Sequence, residues 1–116
     1  MKLCQGCHGE DGNSRIEKIP SLAGQPEFFV MNQLILMREG VRRIEAMMEV
    51  VKDLKDEDVL ALAAHYAKAP ASGTAEPVDA ARAAAGAPLA DRLRCASCHL
   101  PTYGGQEQIP RLAGQR

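Results

Sequence analysis

The sequence predicts an all-α fold, and three observations carry that expectation. The apolar residues are mostly Ala, Leu, Val and Met, a set that favours helices, while the aromatics are only two Phe and two Tyr, with no Trp. Two segments space their apolar residues with a helical period. No β-branched run of strand type surrounds either pair of cysteines. At 116 residues the chain is one ordinary domain or two very small ones. Few large side chains are available for a core, so a bulky apolar group from outside the chain is expected to supply the missing mass.

The elements follow in chain order. Residues 26–39 are expected to form a helix, with Pro26 at a first helical position and Gly40 as a C-terminal stop. Phe28, Met31, Leu34, Ile35 and Met37 are its apolar positions. The segment 41–54 carries Met47 and Met48 and is expected to loop between helices. A second helix is expected over 56–68. Asp56, Glu57 and Asp58 load its first turn with the charge that the helix dipole favours. Val59, Leu62, Ala63 and Tyr66 then fall at i, i+3, i+4 and i+7 as one buried stripe. Residues 70–77, rich in Pro, Ala, Ser and Gly, read as a linker. Residues 79–96 are Ala-rich and expected to be helical, with Gly86 and Pro88 breaking or kinking the helix.

Two copies of a five-residue word carry the chemistry: Cys4-Gln5-Gly6-Cys7-His8 and Cys95-Ala96-Ser97-Cys98-His99. C-x-x-C-H is the attachment pattern of a c-type haem. Each cysteine forms a thioether with a haem vinyl group, and the histidine becomes an axial ligand of the iron. A thioredoxin-like pair belongs in a βαβ context, and a four-cysteine zinc site spaces its pairs by roughly 15–20 residues. Neither accounts for the histidine after each second cysteine. Two haems and electron transfer are therefore expected. The words use all four cysteines and two of the three histidines, leaving His65, whose helical position suits a packed or surface side chain. A second axial ligand is often Met. Met31 and Met37 lie on an apolar helix and are expected to pack. Met47 and Met48 are the candidates, and position alone leaves both open.

A second word follows each motif at nearly the same distance: Ile19-Pro20-Ser21-Leu22-Ala23-Gly24-Gln25, then Ile109-Pro110-Arg111-Leu112-Ala113-Gly114-Gln115. Two words in the same order and spacing mark a duplicated module with a period of about ninety residues. This gives a first module over 1–69, the linker 70–77, and the opening part of a second module over 78–116. Residues 100–116 contain few large apolar side chains and are expected to be mobile when isolated. A net charge of −1 gives no argument for nucleic acid. No apolar run reaches the 18 residues of a membrane span. No acid–base or nucleophile constellation points to an enzyme. Only three residues precede Cys4, so an export signal is expected to have been removed, or the chain to be a window on a longer one.

C-x-x-C-H-G-x-D-G-N-S, then P-x-L-A-G-Q, a helix, a Met, and L-x-D-E-D before an A-A-x-Y-A helix resembles the dihaem class I cytochromes c of the c-four type. The resemblance covers residues 4–69 closely and 79–116 as the start of a second module. It implies a periplasmic carrier of single electrons, often passing them toward a haem–copper terminal oxidase, with a quinol-oxidising complex or a dehydrogenase as other redox partners. It implies haem attachment at Cys4 and Cys7 with His8 as proximal ligand, and at Cys95 and Cys98 with His99. It further implies that Pro20 and Pro110 orient these histidines through their carbonyls. The family's methionine ligand stands seven residues before the leucine of L-x-D-E-D, here Leu54, which selects Met47 over Met48. Three departures stand out. Lys55 replaces the Ser that usually caps the helix, so Asp56 is expected to substitute. His65 stands where the family often has an aromatic. No methionine follows Met48 to serve the second haem. Two other readings are a cytochrome subunit of a dehydrogenase and a haem-based ligand-binding protein with an open iron.

Overall fold

The computed structural model describes residues 1–73 and 77–115. Its described residues form six helices and no β-strand, so the all-α expectation holds. The elements are α1 (Lys2–His8), α2 (Glu27–Arg38), α3 (Glu45–Val51), α4 (Asp56–Lys68), α5 (Ala80–Arg92) and α6 (Ala96–His99). Residues 74–76 of the expected linker, and Arg116, lie outside the described residues.

The core sits where α2 crosses α4, with α3 against α2. The stripe on α4 is buried as its period requires: Val59, Leu62, Ala63 and Tyr66 are all at most 7% exposed. From α2 come Val30 and Met37, and from α3 comes Val51. Phe28 faces out, about half exposed, so the inward face of α2 is turned from the one its largest side chain suggests. Gly40, at φ 73°, ends the α2 turn with its N–H on Met37 O, as the sequence reading requires.

Two expectations are corrected in this half. The segment 41–54 is not a plain loop, since α3 occupies Glu45–Val51. Asp56 does not cap α4. Its carboxylate instead takes a hydrogen bond from the Arg38 guanidinium at 2.8 Å, tying α4 to the end of α2. The cap falls to Asp58, whose Oδ2 accepts from the Lys55 N–H at 2.9 Å. A lysine side chain has no acceptor, so only the backward half of a capping box can form.

Between α1 and α2 the chain has no regular structure, yet it is tightly held. Gly12 O accepts from both Leu22 N and Ala23 N, at 2.8 and 3.0 Å. Ser21 Oγ accepts from Ser14 N at 2.9 Å. Asn13 is 5% exposed and reaches across to the chain after α4: its Nδ2 donates to Pro70 O, and its Oδ1 accepts from Ser72 N. Gly24 N donates to Tyr66 O at 2.9 Å, adding to the longer 3.3 Å bond that Ala69 N makes to the same carbonyl at the end of α4. Buried side-chain amides and hydroxyls therefore replace secondary structure here, which explains the polar content of the G-N-S and S-L-A-G-Q words.

In the second half α5 has no buried residue. It runs unbroken through Gly86 and Pro88 and stops at Arg92, short of residue 96. Pro88 cannot donate to the Ala84 carbonyl, but that face is exposed and water can take the bond. The break falls instead at Arg94, at φ 56°. The loop 100–115 repeats the first loop's wiring, with Leu112 N and Ala113 N on Tyr103 O at 2.9 and 3.0 Å. It is not a loose tail. Gln115 brackets Ser21 with two hydrogen bonds of 2.8 Å, and Gln25 brackets Arg111 at 2.9 and 3.0 Å. Ser21 and Arg111 hold the same place in their repeats, as do Gln25 and Gln115, so the clasp is reciprocal. The molecule is elongated, 43 × 27 × 26 Å.

Candidate haem sites

A helix brings Cys4, Cys7 and His8 to one side of α1, because residues three and four apart share a face. The helix must end at once to free the histidine, and Gly9 does this at φ 89° with its N–H on Gln5 O. A Cβ at Gly9 would lie 2.3 Å from Asn13 O, so the position is closed to any side chain. His8 is 6% exposed, and its Nδ1 lies 2.7 Å from Pro20 O. A carbonyl only accepts, so Nδ1 carries the proton and Nε2 keeps its lone pair for a metal. Metal-bound histidines are oriented in this way by a backbone acceptor.

The second motif repeats the arrangement. Cys95 precedes α6, and Cys98 and His99 lie on it. His99 Nδ1 is 2.8 Å from Pro110 O. The loop from histidine to proline is one residue shorter than in the first motif, 11 positions against 12. Leu100 stands where Gly9 stands, at φ 71° and ψ 159°. His99 is half-buried where His8 is buried, since no counterpart of α2 and α4 covers it among the described residues.

Met47 and Met48 are adjacent on α3 and both half-buried, so burial does not choose between them. Met37 is 6% exposed in the core, as expected, and Met31 is half-buried. His65 is exposed and meets the Tyr66 ring edge-on at 5.0 Å, which agrees with a surface role. Among the described residues no cluster of three or more His, Cys, Asp or Glu could hold a metal ion by itself, and none of the four cysteines is in a disulfide.

Tyr66 packs beside the first attachment motif. Its ring is 2% exposed and lies against Gly12, where a Cβ would come within 3.0 Å of Cδ1. Its hydroxyl is buried with no hydrogen-bond partner. Burial, and then the neighbouring Cys4, push its pKa up to about 12. The Cys4 thiol stands here for the thioether sulfur of a haem-bound chain.

The chain is similar to known proteins in sequence and in overall fold. The chain is 34% identical over 120 residues to cytochrome c4 of Pseudomonas aeruginosa, covering 97% of this chain and 60% of that protein. It superposes on reduced recombinant cytochrome c4 from Pseudomonas stutzeri with a TM-score of 0.88 at 30% identity, covering 97% of this chain and 68% of the other. The chain belongs to the cytochrome c4 family. It is therefore an all-α, class I cytochrome c of the kind that carries covalently bound haem c. It is also 36% identical over 122 residues to a thiosulfate dehydrogenase electron acceptor of Thiomonas intermedia, covering 97% of this chain and 56% of that protein. The chain spans about 60% of the length of the curated cytochromes c4 it matches. No protein-family model matches it. No described helix is long and apolar enough to cross a membrane.

The sequence reading missed the two glutamines and the hydroxyl of Tyr66. The signal for the glutamines was present, since each closes its repeat word. A terminal Gln in a loop gave no hint that its partner lay some ninety residues away.

Proposed function

We propose that this cytochrome is a periplasmic carrier that holds two haems in tandem modules, residues 1–69 and 78–116, joined by the linker 70–77. What supports two sites is the repeated attachment word together with the matched histidine geometry, 2.7 and 2.8 Å from Nδ1 to a proline carbonyl. Haem c supplies an iron that cycles between ferric and ferrous. The protein's part is to fix the imidazoles, exclude water and present the chain to partners. Cys4, Cys7, Cys95 and Cys98 hold the groups, and His8 and His99 ligate. Met47 is the sixth ligand at the first site, in line with its register to Leu54.

The redox partner on the donor side is a dehydrogenase, the reading favoured by the likeness to thiosulfate dehydrogenase electron acceptors. A terminal oxidase is the acceptor at the other end of the relay, and a quinol-oxidising complex would be a second donor. The exported holoprotein is tested by stopped-flow mixing with a reduced dehydrogenase of this class. Rapid single-electron reduction, with no product formed by the cytochrome itself, is expected. Tight carbon monoxide binding at the first site would instead favour the ligand-binding reading, since it requires an open iron.

A further inference from the structure

Each proximal histidine is wired to the opposite half of the molecule through a single peptide group. The Pro20 carbonyl that accepts from His8 Nδ1 belongs to the same peptide unit as the Ser21 N–H. That N–H donates to Oε1 of Gln115 at 2.8 Å. The second motif does the reverse. The Pro110 carbonyl accepts from His99 Nδ1, and the N–H of the same unit, that of Arg111, donates to Oε1 of Gln25 at 2.9 Å. Each glutamine also donates Nε2–H to the carbonyl of the residue it brackets, Ser21 at 2.8 Å and Arg111 at 3.0 Å. This second bond locks the carboxamide and fixes which end faces the N–H. Gln25 is 4% exposed, so water does not compete for it.

We propose that Gln115 and Gln25 are positioning residues that set the electron-donating strength of the proximal histidine in the other half. The inference rests on the two-haem reading above. Its physics is the mutual polarisation of hydrogen bonds in a row. A peptide whose N–H is engaged carries more negative charge on its oxygen. The Pro20 carbonyl then draws harder on the Nδ1 proton of His8, the imidazole becomes more anionic, and a more anionic ligand favours ferric iron. Gln115 thus lowers the reduction potential at the His8 site, and Gln25 lowers it at the His99 site. The potentials are coupled to the docking of the halves without any shared ligand.

The test uses the full-length haem-loaded chain, with Gln115→Met and Gln25→Met as near-isosteric replacements lacking the amide. Potentials are read by spectroelectrochemical titration, and the Nδ1–H resonances of His8 and His99 by NMR of the reduced protein. Gln115→Met is expected to raise the potential of the His8 site and move the His8 Nδ1–H resonance upfield, leaving those of His99 in place. Gln25→Met is expected to do the same to His99 and spare His8. Effects that fall on the substituted residue's own half, that move both sites together, or that leave the Nδ1–H resonances unmoved overturn the proposal and leave the glutamines as adhesive only. A native chain that titrates with a single haem overturns the two-haem reading before either substitution is made, so the two failures are distinguishable.

Discussion

At the scale of single residues, the two copies of the haem word solve one geometrical problem with different side chains. The residue after each histidine must turn the chain sharply at positive φ. Gly9 does so freely, while Leu100 occupies φ 71°, ψ 159°, a region almost reserved for glycine. Exchange of the two should therefore have opposite signs. Gly9→Ala is expected to cost roughly 1–3 kcal/mol from backbone strain alone, with more from the clash at Asn13 O. Leu100→Gly is expected to stabilise by about 1 kcal/mol, the strain relieved being partly offset by glycine's greater loss of entropy. Thermal denaturation of the two variants reads both signs. Met47 carries a second prediction at this scale. Met47→Ala should lower the first haem's potential, because a thioether favours ferrous iron, and should admit carbon monoxide, while Met48→Ala should do neither. Equal effects would remove the argument from the register to Leu54.

At the scale of elements, what was legible in the sequence was what depends on periodicity. The bounds of α4 and its buried stripe follow from the i, i+3, i+4, i+7 spacing, and the structure returns them residue for residue. Ala63 is fully buried within that stripe, so Ala63→Leu should overpack the core and cost about 1–3 kcal/mol in a chemical denaturation series. The face of α2 was less legible. Apolar residues surround that helix, and only its partner decides that Val30 turns inward and Phe28 outward. α3 is shorter than a periodic pattern can reveal, and its start has no side-chain cap. The capping of α4 was misassigned because Asp56 and Asp58 look alike in sequence, whereas Arg38 on another helix claims the first. In α5 a solvent-facing helix tolerates Pro88, because water supplies the acceptor's missing partner.

At the scale of the molecule, the haem motifs and the duplication could be read before any coordinates, because they are repeated local words, whereas the role of the proline carbonyls came only with the resemblance. The reciprocal clasp between Gln25, Gln115 and the opposite repeat could not be read, because a long-range pairing leaves no periodic trace. The first half has a small, mostly aliphatic core, which a porphyrin would enlarge. Replacing Cys4 and Cys7 by Ala should therefore leave a weakly cooperative, protease-sensitive first half, since an unfilled core is strongly destabilising. Limited proteolysis of that variant checks it, and a melting transition as sharp as the native one would count against it. The central claim is that both words carry covalent haem in one electron-transfer chain. Intact-mass spectrometry of the exported protein after acid denaturation tests it most directly. The account predicts a chain mass increased by two haems that organic extraction does not remove, and a mass showing one haem, none, or zinc in their place would contradict it.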